Sequence, residues 1–309
     1  MNTVAAAPLL QAPRAGGKIA EWGGYSMRLS VITDEVSQNF EEAARFCVRH
    51  GMECVDIRSV EGKNPFRMTR EDFLRVKEIC EKYDLSVACI DAPMFKCSIR
   101  DAETVRAHVD EFRRLAPIAR EIGCRLIRGF DFLDEGATLD ERAQEFEPVI
   151  EICGEFGVTY ALEYDPSVHA CTPAKIRALL DRIDSPYVRA LYDPGNAFFA
   201  DPDACPYPDE YLLLKDRIVH IHIKDAVLRD GRAQAVRVGT GLVDYAGLFR
   251  ALAADGYRGA AALETHYRLS AALSDEQLRF PGGKAFTDGA YAASEESAES
   301  LTALTRQAE

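Results

Sequence analysis

Eight short β-rich runs recur along the chain, and an amphipathic stretch separates almost every one from the next. The runs are LSVIT (29–33), CVDIR (54–58), LSVACI (85–90), CRLIRGF (124–130), VTYALE (158–163), VRALYD (188–193), IVHIHIK (218–224) and AAALE (260–264). Residues 39–50 illustrate the intervening pattern. Phe40, Ala43, Ala44 and Cys47 fall on one helical face, and Gly51 follows as a stop. Further helices are expected over 70–83, 102–122, 139–156, 173–184 and 244–255. Strands that alternate with helices, without a break in composition, specify a parallel α/β domain. Eight repeats within 309 residues fit a closed (β/α)₈ TIM barrel. The competing architecture is a doubly wound open sheet, but no Gly-x-Gly-x-x-Gly follows the first run. The expected organisation is therefore a flexible, disordered Ala/Pro/Gly-rich tail over 1–26, one barrel over 27–309, and a polar C-terminal helix with Leu301 and Leu304 as apolar spots. Met27, directly before the first run, is an alternative start.

Composition narrows the function classes. There are 37 basic against 50 acidic residues, a formal charge of −13, which argues against sequence-independent binding to a phosphate backbone. No apolar run approaches the length that spans a bilayer, so no membrane association is expected. Nine cysteines, an odd number with no Cys-x-x-Cys pair, read as reduced thiols in a cytoplasmic protein.

In such barrels, chemistry sits where the strands end at their C-terminal side. There the sequence offers Glu163, Asp193, His222 and Glu264, spaced 30, 29 and 42 residues apart, each about one βα unit. Alternation turns His220, His222 and Lys224 inward on the seventh run and Val219, Ile221 and Ile223 outward. It likewise turns Glu264 and Asp193 inward, with Leu263 and Tyr192 outward. Burying these groups without partners costs several kcal/mol each, and a divalent cation removes that cost. Three carboxylates and one imidazole suit Mn²⁺ or Mg²⁺, with Zn²⁺ or Co²⁺ as alternatives. The other reading is a buried ion-pair network, such as Glu163–Lys224, around a core histidine.

At these residues the chain resembles the sugar phosphate isomerase/epimerase family, the xylose isomerase-like barrels. The resemblance runs from about Arg28 to the C-terminal helix, through VITDEVSQNFEEA, DIRSVEGKN, PMFKCSI, LEYD, YDPGN, HIHIKD, VGTGLVDY and LETHY. It implies one divalent metal held by Glu163, Asp193, His222 and Glu264, with the two glutamates as the acid/base pair. Thr240 departs from the Gly-Glu-Gly of relatives, and Asn196 stands where some epimerases place a histidine. By analogy, barrels of this kind often dimerise.

The expected chemistry is proton abstraction next to a carbonyl of a small sugar or keto-sugar, through an enediolate, giving an isomerase or epimerase. The same start leads to a lyase or dehydratase acting on an inosose or 3-keto-glycoside. An apurinic-site endonuclease and a non-catalytic sugar-binding barrel are the remaining alternatives. Lys224, Lys96, Arg58, Arg128, Asn196 and His266 are the substrate-contact candidates, with surface or metal-site ion pairs as the competing role for the basic ones. Asp34 and Glu35 read equally as a helix cap or a substrate contact, and His169 as a rim-loop contact. His50 and His108 read as surface residues. Gly239 and Gly241 only faintly suggest a phosphate loop, so a phosphorylated substrate is not expected.

Overall fold

A computed structural model describes residues 27–270 and 272–307. The expected tail over 1–26 lies outside them. Eight parallel strands form one sheet: β1 (Arg28–Val31), β2 (Cys54–Ile57), β3 (Ser86–Met94), β4 (Leu126–Gly129), β5 (Thr159–Glu163), β6 (Val188–Tyr192), β7 (Ile218–Ile223) and, last in the chain, β10 (Ala260–Leu263). Each pairs with its chain neighbour, and β1 pairs with β10. The ring closes between β1 and β2, where the Glu53 N–H donates to the Leu29 carbonyl at 3.0 Å and Ile32 bridges Asp56. This is the TIM barrel expected from the alternation.

The strands read as near-continuous apolar runs because both of their faces are covered. Cys54–Ile57 and Ala260–Leu263 are buried throughout. Helices pack outside and start where the sequence supplies caps. Asn39 accepts from the Glu42 N–H, and Thr69 and Asp72 form a reciprocal capping box. An aromatic cluster of Phe95, Phe132, Phe146 and Tyr160 fills the layer beneath β3–β5. The C-terminal helix, Ala290–Gln307, buries Leu301 and packs Leu304 partly against the core. It also reaches the rim, where the Ser294 hydroxyl donates to the Glu35 carbonyl at 2.6 Å.

Three departures from the sequence reading have local causes. The helix expected over 139–156 is two, Leu139–Gln144 and Glu147–Phe156. Pro148 lacks the N–H that a continuous helix needs, and it sits instead in the first turn of the second piece. Between Lys224 and the helix Tyr245–Ala254 the chain forms a hairpin, β8 (Asp225–Arg229) and β9 (Arg232–Val236), turned at Asp230–Gly231. Finally, β6 stops at Tyr192, and Asp193 caps a short helix, Pro194–Ala200, accepting from the Gly195 and Asn196 N–H groups.

Gly195 sets how close that helix comes to the end of β7. A Cβ there would run into the Lys224 carbonyl oxygen and lie 2.7 Å from the Lys224 Cβ. Gly195→Ala is therefore expected to cost about 1–3 kcal/mol and to lower the thermal midpoint by a few degrees, as differential scanning calorimetry will report. An unchanged midpoint would show that the contact is slack.

Candidate metal centre and active site

Glu163 ends β5, Asp193 follows β6, His222 lies on β7 and Glu264 follows β10. All four are buried, and one donor atom of each lies within 4.8 Å of those of the other three. The structure thus gathers the four residues that the strand ends singled out.

Each carboxylate divides its contacts between a fixed outer partner and the shared centre. Glu163 Oε2 faces Arg128 Nη1 at 3.3 Å, and its Oε1 meets His222 Nδ1 at 3.0 Å. Asp193 Oδ1 takes two backbone N–H groups, and Oδ2 meets Lys224 Nζ at 2.9 Å. Glu264 Oε1 accepts from Arg58 Nη1 at 2.7 Å and lies 3.2 Å from His266 Nε2. Its Oε2 lies 2.8 Å from Lys224 Nζ and 3.4 Å from His222 Nδ1, yet makes no well-aligned hydrogen bond with any described residue. Lys224 also donates to Asn196 Oδ1 at 2.9 Å. The lysine therefore pairs with Asp193 and Glu264, not with Glu163.

Burial raises carboxyl groups and lowers cationic ones, but here neighbouring charge often wins. For Glu163, burial is outweighed by His222 and Arg128, leaving it below the ordinary carboxylate range. For Glu264, burial is outweighed by Lys224 and His266, and the group ends well below that range. His222 is lowered by burial and raised further by Glu163, ending well above the ordinary imidazole range. Asp193 stays raised, because burial exceeds the pull of Lys224.

The residues fit a divalent cation. Inner atoms of three hard carboxylates and one imidazole converge, while outer atoms are held by arginines, His266 or backbone amides, as ligands are held in metal sites. The imidazole fits too: Nδ1 faces Glu163 and Glu264, while Nε2 points toward Asp91 and Asp56 at 3.8 and 3.9 Å.

The remaining candidates also reach the rim. Lys96, Arg128, Asn196, Lys224 and His266, with Glu163 and Glu264, line a cavity of about 380 Å³. Lys96 lies 2.8 Å from Asp165, and burial holds its ammonium below the usual lysine range. Arg58 is locked by Asp34, Glu35 and Glu264 and opens on an adjoining cavity. Asp34 and Glu35 are thus partners of Arg58 and cap no helix with their side chains. His108, expected at the surface, is half-buried, and its Nδ1 accepts from the Phe95 N–H at 2.8 Å, where φ is +55°. His169 is turned from the cavity, its Nε2 facing the Glu135 and Ala137 N–H groups. The Gly239 and Gly241 amides are already occupied: both donate to Asp225 Oδ2, at 2.9 and 2.8 Å.

The sequence reading missed a layer below the cluster. His220 Nε2 lies 2.5 Å from Asp56, whose other oxygen accepts from Ser30. Asp91, buried beside Arg128, has no hydrogen-bond partner among the described residues on either oxygen. Inward alternation of Asp56 with Val55 and of Asp91 with Ile90 was the available signal. Asp165, Arg67 and Arg279 carried none, since their neighbours come from distant loops.

Residues 44–288 match the Xylose isomerase-like TIM barrel family. The chain belongs to that family. Among curated relatives, the inosose dehydratase of Bacillus velezensis is 27% identical over 135 residues, 39% of this chain and 44% of the relative. The 3-oxo-isoapionate decarboxylase of Pectobacterium atrosepticum is 29% identical over 151 residues, 46% of this chain and 52% of the relative. The chain thus spans about half the length of these curated relatives. Among solved structures, D-allulose 3-epimerase from a Methylomonas species superposes with a TM-score of 0.67 at 16% identity, covering 91% of this chain and 98% of that one. That likeness concerns the fold. No described helix is long and apolar enough to cross a membrane.

Arg58 joins three acids, so its removal is the severest test of the network. Arg58→Met leaves Asp34, Glu35 and Glu264 buried without it and should cost about 3–5 kcal/mol in urea unfolding at pH 7. Glu35 and Glu264 are held below their ordinary value, so the stability they gain is full above about pH 4.5 and is lost as pH falls through their lower folded values. The deficit should accordingly narrow in acid. A deficit that is equal at pH 7 and pH 3 would contradict the electrostatic origin.

Proposed function

We propose that this barrel is a divalent-metal-dependent isomerase or epimerase that moves a proton next to the carbonyl of a small sugar derivative. The observation that carries the reading is the pair Glu163 and Glu264. Both are buried in one cavity at the C-terminal rim, both are held below the ordinary carboxylate range, and both face His222 Nδ1. They reach it from β5 and β10, with β6 and β7 between.

Glu163, Asp193, His222 and Glu264 would hold the cation, with Mn²⁺ preferred. When bound, it supplies Lewis-acid stabilisation of negative charge on a carbonyl oxygen. Glu163 and Glu264 are ionised at neutral pH, so either can accept a proton from carbon. The other, once protonated, can return one. Arg128 fixes Glu163, and Arg58 with His266 fixes Glu264, so neither carboxylate is free to swing away. Lys224, which donates to Asn196, would be placed to donate to a substrate hydroxyl once a cation takes over Asp193 and Glu264.

A second reading, a lyase, begins with the same proton abstraction and then expels a leaving group. It is favoured by two of the curated relatives, a dehydratase and a decarboxylase.

Mn²⁺-loaded protein in D₂O with ketoses, inososes and 3-keto-glycosides, followed by proton NMR, separates these readings. Deuterium next to the carbonyl with an intact skeleton is the expected result. A vinylic signal, released water or released aglycone would transfer the assignment to a lyase. Glu163→Gln and Glu264→Gln should each slow exchange by about 10²-fold or more. No exchange on any compound would overturn the enzymatic reading.

A further inference from the structure

Beside the glutamate cavity lies a second one of about 260 Å³, and the two share Lys96, Arg128, Phe130, Arg279 and Pro281 in their walls. Five cationic side chains line it, Arg58, Arg67, Lys96, Arg128 and Arg279, against one carboxylate, Asp91. The protein as a whole carries −13, so the sign of charge inverts locally.

These cations are not equally committed. Arg58 is held by three acids and Lys96 by Asp165. Arg128 is shared between Glu163 and Asp91, and its buried Nε finds no acceptor among the described residues. Arg67 and Arg279, both exposed, make no ion pair with any described residue, and Arg279 lies 5.4 Å from the Phe280 ring centroid. The opposing Asp91 is 1% exposed, with Arg128 Nε 3.7 Å away.

The cavity is also firmly built. The Gly283 N–H donates to Ser59 Oγ at 3.1 Å, and Ser59 donates to Asp34 at 2.6 Å. The segment carrying Arg279 is thereby tied to the loop after β2 that carries Arg67. The glutamate cluster stands over β5, β6, β7 and β10, and the cations stand over β2, β3 and β4 and this segment. A ligand crossing the shared wall would have its reacting end at one and its far end at the other.

We propose that the substrate is an anionic sugar derivative, its carboxylate or phosphate seated among Arg67, Arg279 and Lys96. This rests on the glutamate cluster being the reaction centre. Guanidinium groups with no ion-pair partner recognise such oxyanions through paired, charge-assisted hydrogen bonds. A cation-lined cleft on an acidic protein also concentrates anions locally.

Binding of unreactive probes tests the proposal separately from turnover. Ribitol, ribonate and ribitol 5-phosphate are titrated into the Mn²⁺-loaded full chain by calorimetry at low salt, with wild type and the Arg67→Ala/Arg279→Ala double variant. At least one anion should bind wild type tenfold or more tighter than ribitol, and the identity of that anion separates carboxylate from phosphate. In the double variant, the ratio of anion to ribitol affinity should fall at least tenfold. The variant also controls for direct chelation of the metal by an anion, because that advantage would survive it. Equal affinities in wild type, no anion binding at millimolar concentration, or an advantage retained in the double variant would each overturn the proposal. If an anion binds as predicted while no compound exchanges deuterium, the reaction-centre reading fails and the anion site stands.

Discussion

Glu264 is the junction on which the rest of the site depends. Its two oxygens lie within 3.4 Å of four cationic or ionisable partners: Arg58, His266, Lys224 and His222. From it one chain of alternating charge runs through Arg58 to Asp34 and Glu35, and another runs through Lys224 to Asp193. A third runs through His222 to Glu163 and Arg128. An isolated buried charge costs several kcal/mol even after relaxation, so none of these groups is tolerable alone. Their mutual arrangement makes an ionised rim compatible with a barrel whose strands are otherwise packed tightly.

The scaffold holds that arrangement from outside. The Tyr245 hydroxyl donates to the Lys224 carbonyl at 2.6 Å, and the Asn196 amide donates to the Tyr164 carbonyl at 3.0 Å. Asp225, next to Lys224, accepts from the Ala226, Gly239, Gly241 and Val243 N–H groups, fixing the loop beyond the hairpin. Such backbone bonds need not touch a substrate to matter, because they limit where Lys224 and Asn196 can go. The site is therefore set by packing around the strand ends as much as by its charged groups.

The fold was legible because it rests on period and spacing. Inward alternation on β7 separated His222 from Ile221 and Ile223, and one βα unit between strand ends brought Glu163, Asp193, His222 and Glu264 to one rim. The partners of each charge were not legible. Arg58 and Glu264 are 206 residues apart and Lys96 and Asp165 are 69 apart, and no local pattern records which pairs the closed barrel brings together. The hairpin over 225–236 was hidden because its two five-residue strands are largely exposed or half-buried, unlike the strands of the barrel. The short helix after Asp193 was hidden because Pro and Gly are poor helix formers, whereas here Pro194 opens the helix and Gly195 allows its close approach to Lys224.

Anomalous diffraction from crystals grown with Mn²⁺ will show whether one cation binds among Glu163, Asp193, His222 and Glu264. The expected result is a single strong peak about 2.0–2.3 Å from one atom of each residue, with the Lys224 ammonium withdrawn from between Asp193 and Glu264. A peak absent there while Lys224 still bridges the two acids, or one seated instead among Asp56, Asp91 and His222, would contradict it.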